Sequence, residues 1–507
     1  MNVQSTFYAI NPATGATLPH PHRAWDQTEL DRALDAAADA RAALRDAPRR
    51  QVATLLRSIA EHLDASRDVI TRVMDEETAL GLARCNFELD RTRVQAAAFA
   101  ELVESSAYRA PTFDEGGTTY SAPDLRRLLQ PLGTVAVFGA SNFPLAFGVA
   151  GGDVVSALAA RCPVVVKGHP GHPGTSALVA DVVRSALRES GLPDGAHSSM
   201  VGGSLELSQA LVADDRVDAV GFTGSFQGGM ALAAVAAARP RPIPVYAEMG
   251  SLNPVVMTPE SLRADPCTRA QQLADSVLSG WGQFCTRPGV ILVPEGDADS
   301  LRAALVNAFA SAAPHPMLTA SLVARLDAEI EALKRQSSIS VEQADRGRGL
   351  GFPATLITCS AAEFVTDSRL RAEFFGPVTC LVSVRDAEQT IECLRAIGGS
   401  LTGTLHASSP SDEWVATVWP VLEEQCGRLV YNGVPTGVSV SPAQQHGGPF
   451  PATNHPASTS VGLAAYERFM RPVAYQGVPD ELLPSDLRLR PTEARAGGLD
   501  DSPGRLR

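Results

Sequence analysis

Lysine is almost missing from this chain of 507 residues: Lys167 and Lys334 are its two, and arginine at dispersed positions carries the rest of the positive charge. With 56 acidic against 43 basic residues the formal net charge is −13. Sparse, scattered positive charge argues against nucleic acid or an anionic membrane surface as partner. Long apolar runs are lacking too; none reaches the roughly 20 residues that a membrane-spanning helix needs. The opening Met1-Asn-Val-Gln-Ser-Thr6 has no basic region followed by an apolar stretch, so no secretory signal is readable and a cytoplasmic protein is expected. CxxC pairs are absent. The eight cysteines (Cys85, Cys162, Cys267, Cys285, Cys359, Cys380, Cys393 and Cys426) then read as reduced thiols, most of them small core hydrophobes. His169 and His172 have no Cys or His at ligand spacing, so no metal site is expected. Nor is there an internal repeat.

What remains is an ordinary globular composition, 45% apolar and 20% charged, long enough for two or three domains. The first hundred residues read as helices. Asp26 followed by Glu29 has the form of a capping box, with Leu30, Leu34 and Ala38 on one face. After Pro48 the stripe Val52, Leu55, Leu56, Ile59 and Leu63 marks a second helix. From Gly133 the period changes to short buried strands: Gly133–Gly139, Pro163–Lys167 and Val217–Gly224, separated by helical stretches Thr175–Ser190 and Ser204–Ala213. Alternation of this kind predicts a parallel, doubly wound sheet that binds ligands beyond its carboxyl ends. A second such stretch follows Glu248, with a helix over Thr268–Trp281 and strands at Val290–Pro294, Val378–Val384 and Arg428–Tyr431. The last 25 or so residues, poor in apolar side chains, read as a loose tail.

Three residues carry the chemistry. Cys285 sits in a loop, Gly282-Gln-Phe-Cys-Thr-Arg-Pro-Gly289, which holds a thiol accessible; the nucleophile is the thiolate, a few per cent populated at neutral pH at the free pKa of about 8.5. Glu248 ends the apolar run Ile243–Ala247, where a carboxylate faces the ligand crevice and can take a proton from the thiol or from water. Asn142 lies in the turn after Gly139; its amide and the Cys285 N–H could serve an oxyanion, a donor of this kind being worth about 10²–10³ in rate. Taken singly each has a bland alternative: a buried thiol, a surface or capping carboxylate, a turn asparagine. The turn Gly224-Ser-Phe-Gln-Gly-Gly229 opens a helix and suits a phosphate, although a glycine turn alone is more often only a turn.

Together these residues resemble the aldehyde dehydrogenase superfamily. The motifs Ser141-Asn-Phe-Pro144, Phe222-Thr-Gly-Ser225 with Gly229, Glu248-Met-Gly250, Gln283-Phe-Cys285 and Glu373-Phe-Phe-Gly-Pro377 match that family's signatures in order, over roughly residues 8–480. Phe138–Phe147, Ala150–Asp153 and Gly433–Gly437 are similar to the α-ketoglutaric semialdehyde (2,5-dioxopentanoate) dehydrogenase branch, with NADP-dependent fatty aldehyde dehydrogenases as near relatives. The resemblance implies an α/β fold of two doubly wound domains, cofactor and catalytic, plus a small β bridging element that builds homodimers or homotetramers. Its boundaries would be 1–111 and 132–248, 249–450, and 112–131 with 465–480, leaving 481–507 as the tail.

It further implies Cys285 as nucleophile, Glu248 as general base and Asn142 as oxyanion amide. Lys167 would bind the adenosine ribose, Gly224, Ser225 and Gly229 the pyrophosphate, and Glu373 with Phe375 the nicotinamide ribose and ring. The implied reaction is NAD(P)-dependent oxidation of an aldehyde to an acid through a cysteine thioester, with α-ketoglutaric semialdehyde as leading substrate. An aliphatic or fatty aldehyde is the alternative, ahead of a coenzyme-A-acylating or catalytically silent homologue. Phe143, Phe147 and Phe284 could line a substrate tunnel or simply be core, and Arg287 could meet a substrate carboxylate or form a salt bridge. Two departures stand out. Pro170 occupies the position where NAD-preferring members carry a glutamate, which favours acceptance of NADP; and Gly250-Ser-Leu252 replaces the usual Gly-Gly-Lys.

Overall fold

The computed structural model describes residues 6–114, 124–263 and 266–488. Two parallel sheets organise it. The first has five strands in the order His197–Met200, Val164–Lys167, Val135–Phe138, Ala219–Thr223 and Val245–Glu248, every neighbouring pair parallel. Val135–Phe138 is buried along its whole length, which is why its sequence shows an apolar run rather than alternation. Strand order reverses between Val135–Phe138 and Ala219–Thr223. The crevice outside such a switch point is where open α/β sheets bind ligands. The turns leaving these two strands carry Asn142 on one side and Gly224-Ser225 on the other.

The second sheet has seven strands, ordered Ser340–Gln343, Thr355–Ser360, Val378–Val384, Val290–Pro294, Val255–Met257, Ser400–His406 and Cys426–Tyr431. Only the edge strand Ser340–Gln343 runs antiparallel. A third, antiparallel sheet joins Thr112–Asp114, Leu125–Pro131 and Met470–Gln476; residues 115–123 of the expected bridging segment lie outside the described residues. Among the described residues no helix is long and apolar enough to cross a membrane.

Local signals translate directly. Asp26 and Glu29 form a reciprocal capping box on the helix Gln27–Asp46. The stripe of helix Arg49–Ala65 is buried at Val52, Leu55, Leu56, Ile59 and Leu63, in one core with helix Leu82–Glu104 and the first sheet. Two readings need correction. Helices do not begin the chain: Thr6–Ile10 and Thr17–Arg23 form a hairpin first, with a turn in which Asn11 Oδ1 accepts from the Ala13 and Thr14 amides. The tail, expected to be loose from 481, is packed as far as 488. Leu483 and Leu487 close a small core with Leu128, and Asp486 takes hydrogen bonds from Arg49 at 2.7 Å and Arg109 at 2.9 Å. Residues 489–507 lie outside the described residues.

Candidate active site

The loop that presents Cys285 is shaped by its glycines. Gly280, Trp281 and Gly282 all have left-handed backbone (φ 57°, 53° and 71°), turning the chain sharply after the helix Pro266–Leu278. A side chain at Gly282 would overlap the carbonyl of Gly376, so the turn closes onto the Glu373–Pro377 motif only with glycine there. Asn253 then pins the loop from below. Fully buried, it donates to the carbonyls of Cys285 (2.7 Å) and Arg287 (2.8 Å), while its own carbonyl accepts from Ser251 Oγ and from Thr402. Ser251, the first of the two departures noted at 251–252, therefore knits the loop to the neighbouring strand through the Leu401 amide, and its N–H holds Glu373 at 3.2 Å.

Cys285, Glu248 and Asn142 come together from three separate stretches. Asn142 Nδ2 donates to the Gln283 carbonyl at 2.8 Å, beside the thiol, leaving its second proton free. Among the described residues the Cys285 N–H is also uncommitted. Between the thiol and the carboxylate stands a residue that the sequence did not disclose, His446. Its Nε2 lies 3.5 Å from Cys285 Sγ and, in ion-pair range, 2.8 Å from Glu248 Oε1. Ser460 Oγ donates to the other oxygen of Glu248, and His446 is fixed by Thr459 Oγ1 at 2.8 Å on its N–H and by the Ser460 N–H at 2.8 Å on its carbonyl. It sits in Gln444-Gln-His-Gly-Gly-Pro449, a stretch without periodicity. The one cue was a histidine next to paired glycines.

Burial opposes ionisation of both partners. It pushes the Glu248 carboxyl up, but His446 and the hydrogen bonds from His446, Ser460 and Cys285 outweigh it, and the net shift is downward. The Cys285 thiol is pushed well up by burial and by the Glu248 charge, with Arg91 pulling the other way. The three donor atoms, all within 4.8 Å of one another, are also of kinds that hold a transition metal. That cluster is distinct from His169 and His172, whose rings face each other at 5.5 Å.

The nicotinamide-side candidates form a second group. Gly224 and Ser225 are exposed, and Ser225 caps the helix Phe226–Ala237 through Gly228 N–H at 3.2 Å, leaving the Phe226 and Gln227 amides at its open end. Gly229 is buried against Met249 and Ala247. Lys167 ends its strand half-buried, and among the described residues no carboxylate pairs with it. Glu373 lies against Gly250, where a Cβ would overlap its carboxylate, and Phe375 beside it is half-buried. These groups suit a dinucleotide: amides for its phosphates, an amine and a carboxylate for its riboses.

The aromatic candidates form one cluster. Phe143 packs edge-on to Phe147 (5.5 Å) and to Phe284 (5.0 Å), with Val438 and Val440 completing the wall. Phe143 and Phe147 are buried, and Phe284 is partly open. Arg287 is not available to a substrate. It is 2% exposed, and its guanidinium donates to the carbonyls of Pro288 and Val378. Burial lowers its pKa to about 10 against the pull of Glu373. Its position beside the nucleophile in sequence becomes, in the fold, a place behind it.

This fold, with a thiol, a carboxylate and an amide brought together in it, suits the oxidation of an aldehyde. The aldehyde dehydrogenase family model matches residues 1–448, and the chain belongs to that family, oxidoreductases acting on aldehydes. It is 42% identical over 494 residues to α-ketoglutaric semialdehyde dehydrogenase 2 of Azospirillum brasilense, covering 95% of this chain and 93% of the relative. To the α-ketoglutaric semialdehyde dehydrogenase of Acinetobacter baylyi it is 38% identical over 467 residues, 91% of this chain and 88% of that one. A solved structure of an aldehyde dehydrogenase from Pseudomonas syringae, complexed with NAD+ and octanal, superposes with TM-score 0.78 at 20% identity, covering 93% of both chains.

Proposed function

We propose that the enzyme oxidises α-ketoglutaric semialdehyde to 2-oxoglutarate, with Cys285, Glu248 and Asn142 as its catalytic groups. The observation that carries this reading is the convergence of Cys285 Sγ, His446 Nε2 and Glu248 within 4.8 Å, in a chain 42% identical to a dehydrogenase named for that substrate. The thiol gives its proton to the His446–Glu248 pair, which releases it to solvent before the next step, and its sulfur bonds to the aldehyde carbon. The free proton of Asn142 Nδ2 and the Cys285 N–H stabilise the oxyanion. When bound, the nicotinamide supplies the hydride acceptor. Glu248 then takes a proton from the water that cleaves the thioester, its lowered pKa keeping it a base at neutral pH.

Lys167, Gly224, Ser225, Gly229, Glu373 and Phe375 would hold the cofactor. NADP is the preferred form in this reading: Pro170 offers no carboxylate to repel a 2′-phosphate, and Lys167 nearby has no competing carboxylate. The sheet Thr112–Asp114, Leu125–Pro131 and Met470–Gln476 would be the surface of dimers or tetramers, and free cysteines fit a reducing cytoplasm. Assay of α-ketoglutaric semialdehyde, succinic semialdehyde and short and long aliphatic aldehydes with each cofactor tests the proposal. It expects the highest kcat/KM for α-ketoglutaric semialdehyde with NADP+. A higher kcat/KM for a long aliphatic aldehyde would transfer the enzyme to the fatty aldehyde reading, which the Phe143–Phe147–Phe284 cluster favours.

A further inference from the structure

With Arg287 behind the nucleophile, the carboxylate of such a substrate needs another partner, and three other arginines lie near Cys285 or the aromatic cluster beside it. Arg84 and Arg91 project from the helix Leu82–Glu104, and Arg428 from the strand Cys426–Tyr431. Two of the three are occupied. Arg84 lies over the Phe143 and Phe284 rings (4.5 and 4.6 Å to the centroids) and pairs with Glu88 at 3.4 Å. Arg428 donates to the carbonyls of Pro435 and Gly437, fixing the loop that follows its strand. Arg84 and Arg428 also leave a buried Nε without a partner, yet a terminal nitrogen of each is engaged. Arg91 is the reverse: its Nε donates weakly to the Val438 carbonyl at 3.3 Å, and its buried Nη1, at the tip of the guanidinium, meets no hydrogen-bond partner among the described residues.

The nearest carboxylate on its own helix, Glu88, is already spent: Oε1 accepts from the Leu145 and Ala146 amides at 2.8 and 3.0 Å, and Oε2 faces Arg84. A guanidinium held in a partly desolvated place with an unpaired N–H is costly unless something else completes it. Its surroundings point to the site. Arg91 sits 5.5 Å over the Phe147 ring, Phe147 packs on His446 at 6.5 Å, and His446 is 3.5 Å from the sulfur. Val438, which it holds, belongs to the same aromatic wall. Both Cys285 and Glu248 feel its charge.

We propose that Arg91 is the residue that binds the carboxylate of the aldehyde substrate, using the unpaired Nη1 edge of its guanidinium beside Phe147 and Val438. The proposal rests on the semialdehyde reading above. A five-carbon chain puts its carboxylate carbon roughly 5 Å from the aldehyde carbon when extended, since each C–C bond is about 1.5 Å. An anion at that remove needs a fixed, planar donor, and arginine offers two parallel N–H bonds where a lysine offers a point charge. The two carbonyls that Arg428 holds keep the 435–438 segment, and with it Val438, in place against that end of the substrate.

The test compares α-ketoglutaric semialdehyde with pentanal, a neutral aldehyde of the same carbon count, on wild type, Arg91→Met and Arg91→Lys. Any effect of Arg91 on thiol reactivity enters both substrates alike and cancels in the ratio of their kcat/KM values. In wild type the ratio favours the charged aldehyde. In Arg91→Met it falls about 100-fold, the size of a lost charge-assisted pair, with the change mainly in KM; Arg91→Lys retains part of it. NADP+ binding and the midpoint of thermal unfolding report whether each variant is folded. A preserved ratio in folded Arg91→Met overturns the assignment of Arg91 and leaves the substrate reading standing. If Arg91→Met does not fold, the lysine variant decides: a ratio equal to wild type overturns the proposal, and a lowered one supports it. A wild-type enzyme that shows no preference between the two aldehydes overturns the substrate reading, and the role of Arg91 with it.

Discussion

The two walls of the crevice are built from different materials. On the side proposed to carry the acyl group, Cys285, Glu248, His446 and Ser460 are side chains locked to one another, with Glu248 and His446 almost wholly buried. On the side proposed for the dinucleotide, Gly224 and Ser225 are exposed, and what they offer is mostly backbone: the open end of the helix Phe226–Ala237. The difference follows from the tasks. Holding a phosphate requires only oriented amides and a dipole, which any helix end after a glycine turn supplies. Moving protons requires groups whose pKa values have been displaced, and displacement requires burial and charged neighbours. Substitutions should therefore cost far more on the first wall than on the second.

The largest effect is expected at the sulfur. Cys285→Ala should reduce NADPH formation from aldehyde by more than about 10⁴-fold, since it removes the atom that carries the acyl group, while NADP+ still binds by fluorescence titration. Undiminished NADPH production by this variant would falsify the acyl-side assignment outright. Glu248→Gln is expected to slow turnover by about 10²–10⁴-fold and, in the opposite sense, to quicken alkylation of Cys285 by iodoacetamide at neutral pH. Burial and the Glu248 charge hold the thiol up. Removing that charge lowers its pKa and raises the thiolate fraction, so the alkylation profile should move to lower pH. An unmoved profile would mean that the Glu248 charge does not act on the sulfur.

His446→Asn probes the same wall through its pH dependence. After burial, which raises it, the Glu248 carboxyl is brought down chiefly by His446. Loss of the imidazole should raise that pKa, so the acid limb of the kcat profile should shift to higher pH, with the protonated, inactive carboxyl persisting further toward neutrality. An unmoved limb would assign Glu248's low pKa to Ser460 and Cys285.

How much of this was legible in the sequence depends on the kind of constraint involved. The apolar strands of the first sheet and the Asp26–Glu29 cap could be read because local periodicity and capping chemistry determine them. Cys285 and Asn142 stood out because each lies in a turn with its own glycine or proline signature, and Glu248 because it ends an apolar strand. His446 did not. It belongs to a segment without secondary structure, which reaches the site by returning to the first sheet, where Met249 N–H bonds to the Ala452 carbonyl. Nothing within a few residues of it encodes that return. The same holds for Arg287, which borders the nucleophile in the chain yet points into the protein, and for Leu483 and Leu487, whose partner Leu128 is remote in sequence.

On the dinucleotide wall the expected effects are smaller. Pro170→Glu should move cofactor choice toward NAD+, raising KM for NADP+ by about tenfold, or about 1.4 kcal/mol for one repulsive contact with a 2′-phosphate partly screened by solvent. Steady-state KM values with both cofactors measure it. An unchanged ratio would place the 2′-phosphate elsewhere.

Ser225→Ala should do least, and is the sharpest check on the contrast between the walls. The hydroxyl caps the helix by accepting the Gly228 N–H at 3.2 Å, and loss of such a cap costs about 0.5–2 kcal/mol of stability. Thermal unfolding should therefore fall by no more than about 2 °C in a chain of this size. The amides of Phe226 and Gln227 are untouched, so KM for NADP+ should change by less than about fivefold, if backbone dipoles carry the phosphate. A hundredfold loss of cofactor affinity without loss of folding would show that the serine side chain, and not the helix end, is the ligand. The dinucleotide wall would then be made of side chains like the acyl wall, and the distinction between them would disappear.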